Sequence, residues 1–210
     1  MISFDKMKLR LLYFLLLIFP FIQLSAKDDS ICGTPLKYQV LKATEPTDDF
    51  FWTAGDRKYN VYLKKGDFIL EQKKNNELWL INGASFNPYA GTELYIDTMY
   101  FQNTGENADK ELVIGYTLYS MKPDDSGKSR HLLIIDIKDK MVLLNIALYD
   151  QRLRKDENGK YSEYLYECDV DLFHNGIRVT TTDDSDIDNP QIQLDDGIYL
   201  RKGHCFVLHK

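Results

Sequence analysis

The densest chemistry in the sequence is a run of carboxylates near its end. Asp184, Asp186 and Asp188 alternate through Asp184-Ser185-Asp186-Ile187-Asp188-Asn189, and Asp195 is twelfth counting from Asp184. Alternate acids can point into one turn and a twelfth-position acid can close it, an arrangement of oxygens that suits calcium. Asn189 stands where such a loop usually has glycine, and Pro190 follows. Asp184, Asp186, Asp188 and Asp195 are therefore the candidate metal ligands, with calcium the candidate ion, and a solvated acidic loop is the alternative. The four histidines, His131, His174, His204 and His209, include no pair at the i, i+4 spacing of a helical zinc site. Ser85 lies in Gly83-Ala84-Ser85-Phe86-Asn87, which lacks the second glycine of a nucleophile elbow and reads as a turn. With 32 acids in the chain, a hydrolase built on a carboxylate pair stays open.

The three cysteines, Cys32, Cys168 and Cys205, have no close C-x-x-C spacing for zinc. Cys168 alternates in phase with Tyr164, Tyr166, Val170 and Leu172, as a small buried apolar residue would. Cys32 sits in a polar segment and has no such role, so the pairing expected is Cys32 with Cys205, tying the start of the mature chain to its last strand. The other pairings remain open.

A second loop has oxygen-bearing residues at alternate places. Asn103-Thr104-Gly105-Glu106-Asn107-Ala108-Asp109-Lys110-Glu111 leads into the apolar run Leu112-Val113-Ile114-Gly115-Tyr116. The segment resembles a single FG-GAP-like calcium loop, in which acidic or amide side chains alternate and an acid precedes a strand. Asn103, Asn107 and Glu111 match in type, while Gly105 offers no side chain where an acid is expected. The resemblance covers residues 103–116 only and implies a loop-to-strand shape.

These groups need strands to position them. Apolar residues recur with period two, or in short runs rich in β-branched and aromatic types, between Gly, Asn and Asp clusters. Strands are predicted over 36–42, 59–64, 67–72, 77–81, 94–101, 111–119, 131–137, 141–148, 161–173, 176–182, 197–201 and 204–209. Lys65-Gly66, Lys138-Asp139, Asn175-Gly176 and Lys202-Gly203 read as tight turns, Asn-Gly as a type I′ turn with both residues at positive φ. Leu132 to Ile135 and Val142 to Leu144 are apolar on both faces and predict a central hairpin covered on both sides. The charged stretches 122–129, 151–160 and 182–189 read as surface loops. The fold expected is all-β: an antiparallel sandwich or barrel of about a dozen strands with little helix.

Lys6, Lys8 and Arg10 precede the 12-residue apolar stretch 11–22, and Leu24-Ser25-Ala26 then gives way to charge. That order reads as a signal peptide over 1–26, too short to span a bilayer and leaving no stable membrane span after cleavage. Residues 27–210 read as one exported domain, secreted or periplasmic, where a disulfide is the default use of a cysteine pair. The mature chain would carry 23 basic and 31 acidic residues, net -8, a poor balance for nucleic acid. The 14 tyrosines include Tyr62, Tyr95, Tyr119 and Tyr149 near strand edges or ends, where they serve cross-strand packing or a sugar- or protein-binding face.

The leading functional expectation is a non-enzymatic binding domain for a basic secreted protein. In its concrete form it is an inhibitor or immunity-type protein for a secreted cell-wall hydrolase, with an acidic loop, 182–189 or 151–160, entering the enzyme's cleft. The alternatives are a calcium-dependent carbohydrate-binding domain and the carboxylate-pair hydrolase.

Overall fold

The computed structural model describes residues 30–42, 51–64, 67–83, 93–105, 109–122, 125–185 and 194–209. Residues 1–26, on which the signal peptide is read, lie outside this set. No helix among the described residues is long and apolar enough to cross a membrane.

The described residues are almost entirely strand, in keeping with their two-residue periodicity. Fifteen strands are described: β1 (Ser30–Cys32), β2 (Thr34–Pro35), β3 (Gln39–Leu41), β4 (Phe51–Gly55), β5 (Tyr59–Lys64), β6 (Asp67–Gln72), β7 (Glu77–Ile81), β8 (Glu93–Gln102), β9 (Glu111–Lys122), β10 (Asp125–Asp136), β11 (Met141–Lys155), β12 (Tyr161–Phe173), β13 (Gly176–Ser185), β14 (Gly197–Lys202) and β15 (Cys205–His209). They form two antiparallel sheets. Five strands run β3-β7-β6-β5-β4, and ten belong to a sheet ordered β1-β15-β14-β13-β12-β11-β10-β9-β8, with β2 paired to β11.

The small sheet stacks on β8–β10. Val61, Phe68, Leu70, Trp79 and Ile81 meet Leu112, Ile114, Tyr116, Leu118, Leu133, Ile135 and Ile137 in one core. The neighbouring residues Val113, Leu132 and Ile134 face the other way, into a second core with Leu144, Ile146, Cys168, Ile177, Val179, Tyr199 and Phe206. The β10–β11 hairpin is thus the doubly covered wall expected from its continuous apolar runs.

Around the second core the large sheet closes on itself. β1 pairs β15, and after the single residue Gly33, β2 pairs β11 at Met141 and Val142. With β11 through β15 paired in succession, the hydrogen-bonded strands make a ring. Gly33 sits at the seam, where a Cβ would lie 2.9 Å from the Val142 carbonyl oxygen and 3.1 Å from that of His204. Cys32 and Cys205 are register partners beside it, their Cα atoms 4.0 Å apart, and a disulfide joins them. Cys168 is a buried free thiol bonded to the Ala147 carbonyl oxygen.

Three local expectations need correction. Residues 125–129 and 151–155 are strand, because β9, β10, β11 and β12 continue their ladders past the cores. Polar side chains are tolerated where the sheet is wet, and ladder pairing requires no apolar residue. Thr182 to Ser185 likewise extend β13. The 36–42 run is strand only over Gln39–Leu41. In the β12–β13 turn, Asn175 alone has positive φ, 70°, and Gly176 begins the next strand. Glycine is needed there for close approach, since a Cβ would sit 2.5 Å from the Tyr199 carbonyl oxygen.

Candidate functional site

Beyond the cores, four ladders carry rows of side chains across one face of the large sheet. Tyr95, Thr117, Arg130, Tyr149 and Glu167 are successive register partners on β8 to β12, and Glu93, Tyr119, Lys128, Gln151 and Leu165 form the adjacent row. Cross-strand partners point to the same side of a sheet, so these residues share one surface. Tyr95 and Tyr119 are 51% and 38% exposed, and their rings meet edge-on at 5.5 Å. Lys128 lies over the Tyr119 ring at 5.8 Å and Arg130 over the Tyr149 ring at 5.1 Å. Arg130 also pairs with Glu167 at 3.3 Å. The hydroxyls are held as well: Tyr95 donates to Glu93 at 2.7 Å, Tyr149 to Gln151 at 2.8 Å, and the Gln151 amide to Glu163 at 2.7 Å. Along β12 the same face continues as Glu163, Leu165, Glu167, Asp169 and Asp171, with Asp169 and Asp171 exposed. A ring-bearing area is therefore bordered by a strip of acids. Tyr62 is elsewhere, on the small sheet, donating to Glu71.

A charged cleft of about 740 Å³ lies where the 56–59 bend meets the ends of β9 and β10, lined by Asp56, Arg57, Lys58, Tyr59, Gln72, Asp109, Lys110 and Lys138. Lys58 and Lys138 each hold one oxygen of Asp109. Those bonds push both ammonium pKa values up and the Asp109 carboxyl down.

Behind the cleft is a buried ionic knot. Arg201, on β14, donates Nη1 to Glu111 and Nη2 to Asp136 at 2.8 Å, and its Nε bonds the Gly203 carbonyl oxygen at 2.9 Å. Glu111 also accepts the Thr104 N–H at 2.7 Å. Gly105 makes room: a Cβ there would fall 2.7 Å from the Arg201 guanidinium. Asp136, Asp139 and His204 present ligand atoms within 4.8 Å of one another. Asp136 is nevertheless engaged by the Arg201 cation and the Asp139 N–H, and Asp139 bonds His204 at 2.8 Å. The fixed guanidinium already serves the charge a metal would neutralise.

Of the four sequence-derived metal ligands, Asp184 and Asp195 lie among the described residues. Asp184 lies on β13 opposite Tyr166, and Asp195 is exposed, its carbonyl oxygen accepting the Tyr199 hydroxyl at 3.0 Å. Asp186, Asp188 and Ser85 lie outside the described residues, as does Asn107 of the 103–116 segment. Asn103 accepts the Gly105 N–H at 3.0 Å. The stretch 151–160, read as an acidic loop, carries Arg152, Arg154, Lys155 and Lys160 against Asp156 and Glu157, so it is not acidic.

His131 is buried, stacked on Tyr116 at 4.9 Å and within 3.0 Å of the Ser129 hydroxyl. Burial and the Arg152 charge lower its pKa to about 4. Ser129 and His131 are 3% and 2% exposed, which denies this pair a substrate. Sequence reasoning missed the cleft and the knot, because their members are far apart in the chain. No family model, curated protein or solved structure matches the chain.

Proposed function

We propose that this protein is an exported, non-enzymatic binding domain whose partner is a basic secreted protein, and that the partner docks on the outer face around Tyr95, Tyr119 and Tyr149. The observation that carries this reading is the juxtaposition of the exposed, edge-on pair Tyr95 and Tyr119 and half-buried Tyr149 with the acid strip Glu163, Glu167, Asp169 and Asp171. Tyrosine and arginine anchors dominate binding energy at protein interfaces. Rings fixed by neighbouring cations and carboxylates lose little entropy on binding. The acids, and the surplus of 32 acidic over 26 basic residues in the chain, would steer a basic partner to that face. The Cys32–Cys205 disulfide fits an oxidising compartment. A cell-wall hydrolase inhibited by occlusion is the concrete form of the reading.

The test is quantitative capture from the envelope fraction with tagged wild type and two variants, Y95A/Y119A/Y149A and E167Q/D169N/D171N, followed by assay of any captured hydrolase. The tyrosine variant should lose the partner through faster dissociation, and the acid variant through slower, less salt-sensitive association. A partner held equally by all three proteins would overturn the reading. Calcium-dependent retention on polysaccharide, abolished in D184N/D186N/D188N, would replace it with the carbohydrate-binding alternative.

A further inference from the structure

We propose that the cleft beside Asp109 is a binding site for a small organic polyanion, a molecule of metabolite size carrying two or more phosphate or carboxylate groups. The charge there opposes that of the whole molecule. Four cations, Arg57, Lys58, Lys110 and Lys138, face two carboxylates, Asp56 and Asp109, in a chain with 26 basic and 32 acidic residues.

The carboxylates do not cancel the site. Asp56 turns its Oδ1 to the backbone, accepting the N–H groups of Lys58 at 2.7 Å and Tyr59 at 2.8 Å. That cap fixes the bend presenting Arg57 and Lys58. Asp109 is clasped between Lys58 and Lys138, one oxygen to each. An oxyanion gripped by two ammonium groups, one beside each sheet, is thus already built into the cleft, with a side chain as its occupant. Arg57 and Lys110 have no hydrogen bond or ion pair among the described residues. The Arg57 fork suits a bidentate phosphate or carboxylate, and the Lys110 ammonium supplies a point charge for a second group.

Size and surroundings narrow the ligand. A volume of about 740 Å³ exceeds the needs of a single inorganic ion and falls within the range of small-molecule sites. Half-buried Tyr59 supplies an apolar wall for the ligand's body. The acidic surplus of the chain as a whole, 32 acidic against 26 basic residues, disfavours a long polyanion that extends beyond the cleft, whereas a compact one is contained by its cations. Asp109 then acts as an internal competitor that sets affinity.

The experiment is calorimetric titration of the exported protein at low salt with inorganic pyrophosphate and with citrate, using glucose as the neutral control. At least one anion should bind with one-to-one stoichiometry and glucose should not. R57A/K110A should weaken binding at least about tenfold, the loss expected when two charge-assisted contacts disappear, with an unchanged ligand-free melting temperature. D109N should tighten binding several-fold by releasing Lys58 and Lys138. Absence of binding by both anions at millimolar concentration would overturn the proposal, as would wild-type affinity in either variant. Because the Tyr95–Tyr149 face is not altered in these proteins, the outcome is independent of the partner experiment.

Discussion

Single buried charges set the sharpest constraints. Removing Arg201 would leave Glu111 buried with no cation, which costs about 3–5 kcal/mol. R201M is therefore expected to lower unfolding free energy by that amount in urea titrations, and R201M/E111Q to recover much of it. Equal losses in the two proteins would contradict the coupling. His131 predicts a pH effect of definite sign. The unfolded chain takes its proton near pH 6.5 and the folded chain only near 4. Stability is then whole above pH 6.5, declines as pH falls toward 4 and levels off below, by about 3 kcal/mol in all. H131F keeps a ring on Tyr116 and should flatten this part of the profile, checked by urea midpoints across pH.

The least conventional element is the short β1–β2 strand, which divides its pairing between β15 and β11 around Gly33. A seam this short, residues 30–35, has few ladder bonds of its own, so the Cys32–Cys205 bond carries much of the closure. The bridge spans a separation of 173 residues, for which the chain-entropy model gives about 5 kcal/mol. C32S/C205S should lose a stability of that order. Hydrogen exchange should show the loss first at β1, β2 and β15, where opening the seam exposes the ladder. Uniform loss of protection across both sheets would count against the seam as the weak point.

At the scale of the molecule, two cores share one wall. Ile134 and Ile135 are adjacent, both 0% exposed, and face different cores. In a sheet with one wet face only one of them would matter. Here I134A and I135A should each lower stability by about 2–5 kcal/mol, measured by denaturant unfolding. Because both cores rest on β9 and β10, unfolding should remain a single transition in each variant. Two resolved transitions would show that the cores are not coupled.

What the sequence determined by itself was local or periodic. Residues 59–64, 67–72, 77–81 and 161–173 are strands over the predicted bounds, because alternation at period two is a property of consecutive residues. The doubly apolar runs 132–135 and 142–144 announced the buried wall, and the polar setting of Cys32 pointed to its partner. Strand ends were less legible: Asp125 to Ser129 and Gln151 to Lys155 look like loops by composition, yet ladders supplied by neighbouring strands hold them extended. The ring closure, the Arg201 knot and the cation cleft were decided only by tertiary structure. Arg201 and Glu111 are 90 residues apart and Lys58 and Asp109 are 51 apart, so neither pair leaves a spacing signal. Charge carried by exposed lysines looks the same in sequence whether it is scattered over a surface or gathered by two sheets into one cleft.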